Sequence, residues 1–341
     1  MKDQSRRDFL RLAGLGLTGL AAQQLLSSCG IKPQPTPQPT ELPTEMATDS
    51  PTLPSSETQA ATETAATAET EYPHLVVTRG PDAEAMVRRG IQALGGMERF
   101  MQPGADVIVK PNICVGYHSY EYAATTNPWV VGALVKLCLE AGAKRVRVMD
   151  YPFGGTPEQC YRKSGIEEQV VAAGGEMEIM QSLKYAETPI PDGVALKSVI
   201  LYQDILNTDL LINVPIAKNH GMATLTLGLK NLMGTMINRE SIHPSFETNL
   251  VDLATMVRPQ LTVIDAIRTL MANGPTGGNL ADVRQQDTLI FSPDIVAADS
   301  YATRLFNLTP EQVPYILRAS ERGLGTADLS GLKIEEINLN A

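Results

Sequence analysis

The residues best suited to chemistry sit where apolar runs of this chain give out. Asp106-Val-Ile-Val-Lys110 leads into Pro111-Asn112, and Arg145–Asp150 closes on its own aspartate. Leu210–Pro215 leads into Lys218-Asn219-His220-Gly221. Leu261–Asp265 ends on another carboxylate, with Asn273-Gly274-Pro275-Thr276-Gly277-Gly278 soon after. Lysines drawn from separate segments suit a carboxylate or phosphate, whose oxygens take charge-assisted hydrogen bonds from ammonium groups. Lys218, His220 and Lys230 are therefore the candidates for reaction chemistry. Lys110, Asn112, Asp150, Asn231, Asp265 and Asn273 are the candidates for holding a ligand. His220 could also carry protons or bind a metal. Each residue has a plain structural alternative: Lys110 as a strand-end lysine, Asp150 as a loop cap, Lys230 on a solvated helix face, Asp265 as a turn residue, and His220 as a hydrogen-bonded structural histidine. His118 and His243 read as surface residues. The Asn273–Gly278 loop reads as a turn, because it lacks the lysine and the order of a phosphate-binding loop.

These groups do chemistry together only if a sheet brings its strand ends to one rim. In open α/β sheets ligands bind beyond the carboxyl ends of the strands. The apolar pattern predicts strands over His74–Thr78, Asp106–Lys110, Arg145–Asp150, Glu176–Met180, Leu210–Pro215, Leu261–Asp265, Thr288–Ser292 and Leu332–Ile337. Helical spacing predicts helices over Asp82–Leu94, from Asn127 as N-cap and Pro128 as first residue to a stop at Gly142, and over Glu158–Ala173, Ala223–Met236, Ile295–Phe306 and Pro310–Arg322. Strands alternating with helices give an α/β fold, a mainly parallel open sheet flanked by helices. Lys218 and His220 then precede a helix start near Met222, whose unpaired N–H groups favour an anion.

The 341 residues carry a formal charge of −10. Nucleic-acid binding needs basic surface that replaces counterions, and no basic cluster lies beyond the first residues. The cysteines are Cys29, Cys114, Cys138 and Cys160. No CxxC pair or iron–sulfur run occurs, so the cofactor is unknown, with a metal ion open. Cys138, set among apolar residues, reads as core.

The first segment is an address. Ser5-Arg6-Arg7-Asp8-Phe9-Leu10 precedes an uncharged apolar stretch, Leu12–Leu26, of about 15 residues against the roughly 20 that span a bilayer. The pair Arg6-Arg7 resembles a twin-arginine export signal, and Leu26-Ser27-Ser28-Cys29 resembles a lipobox. Residues 1–28 are thus expected to be a signal peptide read by the twin-arginine translocase, and Cys29 to carry lipid. Residues 29–72, rich in Pro, Thr, Glu and Ala, cannot bury enough apolar surface to order and are expected to form a disordered tether. Residues 73–341 form the folded domain. The expected location is the outer face of the cytoplasmic membrane or the periplasm, lipid-anchored.

Several ordered motifs carry a family resemblance. Lys110-Pro111-Asn112, Ala124-Thr125-Thr126-Asn127-Pro128, Asn213-Val214-Pro215-Ile216-Ala217-Lys218-Asn219-His220-Gly221, Lys230-Asn231-Leu232-Met233-Gly234, Asn273-Gly274-Pro275-Thr276-Gly277 and Ser292-Pro293-Asp294 resemble domain-of-unknown-function family 362 over roughly residues 75–341. Many members of that family look like carriers of ferredoxin-type cysteine clusters, which this chain lacks. The family often places an acidic residue before Asn-Gly-Pro, where this chain has Met271-Ala272. The Lys…His region is also loosely similar to nickel-dependent lactate racemases. Together these imply an anchored protein that binds or transforms a small anionic compound. A non-catalytic ligand-binding lipoprotein, or an assembly factor for an exported redox complex, is the alternative.

Overall fold

The computed structural model describes residues 72–340. Arg6, Arg7, Cys29, the expected signal segment 1–28 and all but the last residue of the expected tether lie outside the described residues.

The chain order is β1 (Leu75–Arg79), α1 (Ala83–Ala93), β2 (Asp106–Pro111), α2 (Pro128–Glu140), β3 (Arg145–Val148), α3 (Pro157–Ser164), α4 (Ile166–Ala172) and β4 (Glu176–Met177). There follow β5 (Tyr185–Pro189), β6 (Ser198–Tyr202), α5 (Gln203–Asn207), β7 (Leu210–Val214), β8 (Ile216–His220), β9 (Thr224–Thr226), α6 (Gly228–Asn231) and α7 (Phe246–Met256). The chain closes with β10 (Leu261–Leu270), β11 (Val283–Ser292), α8 (Ile295–Ala302), α9 (Pro314–Glu321) and β12 (Ile334–Asn338).

The central sheet runs β12-β1-β11-β10-β7-β2-β3-β4. Its pairs from β10 through β7, β2 and β3 to β4 are parallel, and β11 alone runs antiparallel to both its neighbours. The fold is α/β with a mostly parallel sheet between helices. Alternation along the strands splits the core by face. Val107, Val109, Leu210 and Ile212 pack with Val130, Leu134 and Cys138 of α2 and Ile91 of α1. Ile108, Leu211, Ile264 and Ile290 pack with Leu250 and Leu253 of α7, Val296 of α8 and Ile316 of α9. Asn127 caps α2, accepting from the Trp129 amide, and Pro128 is its first residue.

Four local expectations are corrected. The helix expected over Glu158–Ala173 is two helices, because Gly165 sits at φ 78° and ends the first. The helix expected over Ala223–Met236 is instead strand β9, the four-residue α6 and a tight 3-10 turn over Leu232–Thr235. The strand expected to end at Asp265 continues to Leu270, and β11 begins at Val283 rather than Thr288. The β5–β6 hairpin, α5, β8 and α7 have no counterpart in the pattern-based reading. None of the described helices is long and apolar enough to cross a membrane.

Gly90 shows how tightly α1 lies on the sheet. A Cβ there would meet the Phe291 ring of β11, with Cζ only 2.6 Å away. On an open helix Gly→Ala gains about 1 kcal/mol. Here the overpacking term of about 1–3 kcal/mol opposes and exceeds it. Gly90→Ala should therefore lower the urea midpoint without changing the slope; a raised midpoint would show that α1 does not rest on Phe291 in solution.

Candidate functional site

Strand β7 ends at Val214, and after Pro215 the chain shifts sideways and resumes as β8, paired to the extended β10 and folded back onto β9. Alternation in β8 puts Lys218 and His220 on one face and Asn219 on the other, where its side chain accepts from the Gly274 amide. Lys218 is directly opposite Thr226. Lys218, His220 and Thr226, with Asn112, Cys114, Asp150, Tyr151, Lys230, Asn231, Met233 and Arg239, line a cavity of about 360 Å³.

The floor of the cavity is a chain of hydrogen bonds with one direction. Lys218 Nζ donates to Asn112 Oδ1 (2.9 Å) and to the Ala124 carbonyl (2.7 Å). Asn112 Nδ2 donates to Asn231 Oδ1 (2.9 Å), Asn231 Nδ2 to Asn213 Oδ1 (2.8 Å), and Asn213 Nδ2 to the Gly228 carbonyl (3.0 Å). Lysine can only donate and a carbonyl only accept, so the two ends set all three amide orientations. Beside this chain Lys110, 1% exposed, pairs with Asp150 at 2.8 Å. Asp150 also accepts from the Ile113 amide at 2.6 Å. Burial pushes Lys110 below the ordinary lysine range, and the Asp150 carboxylate opposes that fall.

Two other lysines face the cavity without a carboxylate. Lys218 is 1% exposed and makes no ion pair among the described residues; burial lowers its pKa. Lys230 has the Met233 thioether, 3.8 Å away, as its only hydrogen-bond contact among the described residues, and the Phe246 ring at 5.9 Å. Burial, then repulsion from Lys218, brings it down to about 8. Arg239 closes the mouth, held by the Met233 and Tyr151 carbonyls.

His220 is neutral for a geometric reason. Its Nδ1 accepts the amides of Met222 (3.1 Å) and Ala223 (3.3 Å), so the proton of the neutral ring lies on Nε2. Burial and then the neighbouring lysines push its pKa down to about 3. It is thus a fixed Nε2–H donor. This suits it poorly for shuttling protons, and a metal at Nε2 would have to displace that proton. Among the described residues no group of three or more His, Cys, Asp and Glu converges on a metal site. The donor set fits an anion, not a cation held by side chains.

Thr226 adds an orphan. The residue lines the cavity, while its hydroxyl is buried and has no hydrogen-bond partner among the described residues. Such groups cost stability unless something pairs with them. Thr226 and Arg239 were missed in the sequence, where they stood within or after a supposed helix.

Lys218, His220, Lys230, Asn112, Asp150 and Asn231 meet at this cavity, with Lys110 directly behind it. Asp265 and Asn273 do not. Asp265 lies inside β10 and accepts the Asn127 and Ile267 amides; burial raises it to about 6. It anchors the start of α2. Asn273, at φ 56°, donates to Asp282 across a turn. The helix start expected near Met222 to attract an anion is also corrected: β9 occupies that stretch, and the next helix, α6, begins only at Gly228. The Gly228 and Leu229 amides at the start of α6 already donate to the buried Asp299.

The family described as Domain of unknown function (DUF362) matches residues 107–304. A thylakoid-associated protein of Synechocystis sp. is 29% identical over 258 residues, 70% of this chain and 75% of that protein. The lactate racemase apoprotein of Thermoanaerobacterium thermosaccharolyticum overlays with a TM-score of 0.44 at 10% identity, over 67% of this chain and 56% of that one.

Gly234 offers a direct check on the floor. A Cβ there would collide with Asp150 Oδ1 and stand 2.6 Å from Lys110 Nζ. Gly234→Ala should force the ion pair apart and cost about 3–5 kcal/mol, the range for breaking a buried pair. Denaturant titration reads this; a loss under about 1 kcal/mol would mean the pair tolerates displacement.

Proposed function

The chain belongs to the DUF362 family, and from its cavity we propose that it binds, and transforms, a small anionic compound at Lys218, Lys230, His220 and Thr226. One observation carries this reading. Two inward-facing lysines lack any carboxylate partner, beside a fixed Nε2–H and an unpartnered hydroxyl. Burying uncompensated positive charge is costly, and an anionic ligand offsets that cost. A metal or redox cofactor remains part of this proposal only if the ligand itself brings it, since the side chains converge as hydrogen-bond donors. A non-catalytic binding protein would use the same cavity.

We further propose that the protein is exported by the twin-arginine translocase and held at the outer face of the cytoplasmic membrane by lipid on Cys29. The thylakoid-associated relative supports attachment to a membrane. The described helices give no spanning segment, so peripheral attachment through acyl chains fits, each buried CH2 contributing about 0.8 kcal/mol.

Two measurements test these readings. Calorimetric titration with oxalate, malonate and inorganic phosphate should detect binding, weakened about tenfold or more by Lys218→Met, the equivalent of 1.4 kcal/mol. Lys230 is charged below about 8 and neutral above it. Anion affinity should therefore fall about tenfold between pH 7 and pH 9, the linkage expected when the ligand prefers the protonated lysine. Of the other groups facing Lys230, His220 titrates near 3 and the Cys114 thiol is raised by burial. Lys218, Arg239, Asp150, His243 and Glu240 complete the set. The Lys230→Met variant isolates the effect: its profile should be flat over that window. A profile that stays steep in the variant would assign the titration elsewhere.

For the anchor, Cys29→Ser should move the protein from the membrane pellet to the soluble fraction. Mass spectrometry of the native protein should find a mature chain beginning at acylated Cys29. Retention of Cys29→Ser in washed membranes would refute the lipid anchor.

A further inference from the structure

The three inward lysines differ in one respect that chemistry can use. Lys110 is engaged by Asp150 and the Pro111 carbonyl, and Lys218 by Asn112 and the Ala124 carbonyl. Lys230 alone meets no oxygen among the described residues, only a thioether and a ring. Its amine therefore has no acceptor to hold its protons, and it opens on the cavity. Building on the anion reading, we infer that Lys230 is a nucleophile that forms an imine with the carbonyl group of a small 2-oxo acid, whose carboxylate is held by Lys218 and the His220 Nε2–H.

The geometry suits each part of the step. Poor solvation of the ammonium leaves a useful fraction of free amine near neutral pH. The Nζ lone pair attacks the carbonyl carbon, forming the C–N bond and opening the C=O π bond. The resulting carbinolamine loses its oxygen as water. Starting from the ammonium, one iminium and one water are produced with no net proton change. The iminium restores positive charge beside the bound carboxylate, so electrostatic attraction holds the product as well as the reactant. The apolar Met233 and the exposed Phe153 and Tyr151 at the opening accommodate a side chain on the oxo acid.

The test uses the full-length protein, with pyruvate and phenylpyruvate as probes at pH 8 and sodium borohydride as trap. Hydride adds to the iminium carbon and leaves a stable secondary amine, read as a mass increase on one peptide. The expected result is a single adduct mapped to Lys230, absent from Lys230→Arg and suppressed by excess oxalate. Oxalate titration of the wild-type protein runs in parallel, since oxalate shares the carboxylates but forms no such imine. No adduct, or an adduct on Lys218 or a surface lysine, with oxalate still binding, overturns the imine and leaves the anion site standing. Failure of oxalate and both oxo acids to bind overturns the anion reading and this inference with it.

Discussion

The cavity depends on a hydrogen-bond chain whose direction cannot be reversed. It begins at a group that only donates, Lys218, and ends at a group that only accepts, the Gly228 carbonyl. Three asparagines between them have no choice of orientation. The chain joins β8, the loop after β2, α6 and β7, segments far apart in sequence. Each amide is buried or half-buried, so a break would strand polar atoms away from water, at about 1–3 kcal/mol per group. The floor is therefore held in one arrangement before any ligand arrives, which is what a site needs if binding energy is not to be spent on ordering it. The Asp299 carboxylate, on the amides of Gly228 and Leu229, fixes the far end to α8.

How much of this the sequence discloses depends on range. Local chemistry was legible: Asn127 before Pro128 marked α2, and the apolar run over 210–214 marked β7. The strand-end rule collected most of the candidate site, because Lys110 lies at the end of β2, Asp150 just past β3, and Lys218 beyond the end of β7. It misread Asp265, since β10 runs on through a register shift and turns that carboxylate inward to anchor α2. The segment 216–236 failed as a pattern for a related reason. Its apolar residues serve a hairpin, one turn of helix and a 3-10 turn, and so keep no single period. Thr226 and Arg239 reach the site only through that irregular backbone. Gly234 was visible as a motif residue, but its reason was not. It leaves room for an ion pair between Lys110 of β2 and Asp150 just past β3.

The roles of the lysines follow from what surrounds each, since their chemistry is identical. Lys110 has a carboxylate, and its charge is spent inside the protein; the pair is neutral and serves structure. Lys218 has two neutral oxygens, which orient the ammonium without cancelling it, so its field still reaches into the cavity. Lys230 has neither charge nor oxygen to stabilise it, and burial brings it down to about 8. The order from paired to oriented to unsupported is an order from scaffold to attraction to reactivity. His220 completes the set by donating a hydrogen bond without adding charge, since protonating Nδ1 would oppose two backbone N–H groups. A further full charge at that position would depress Lys230 still more and weaken its grip on an anion. The neutral ring keeps the site cationic enough to attract its ligand while leaving one amine close to the balance between charged and free.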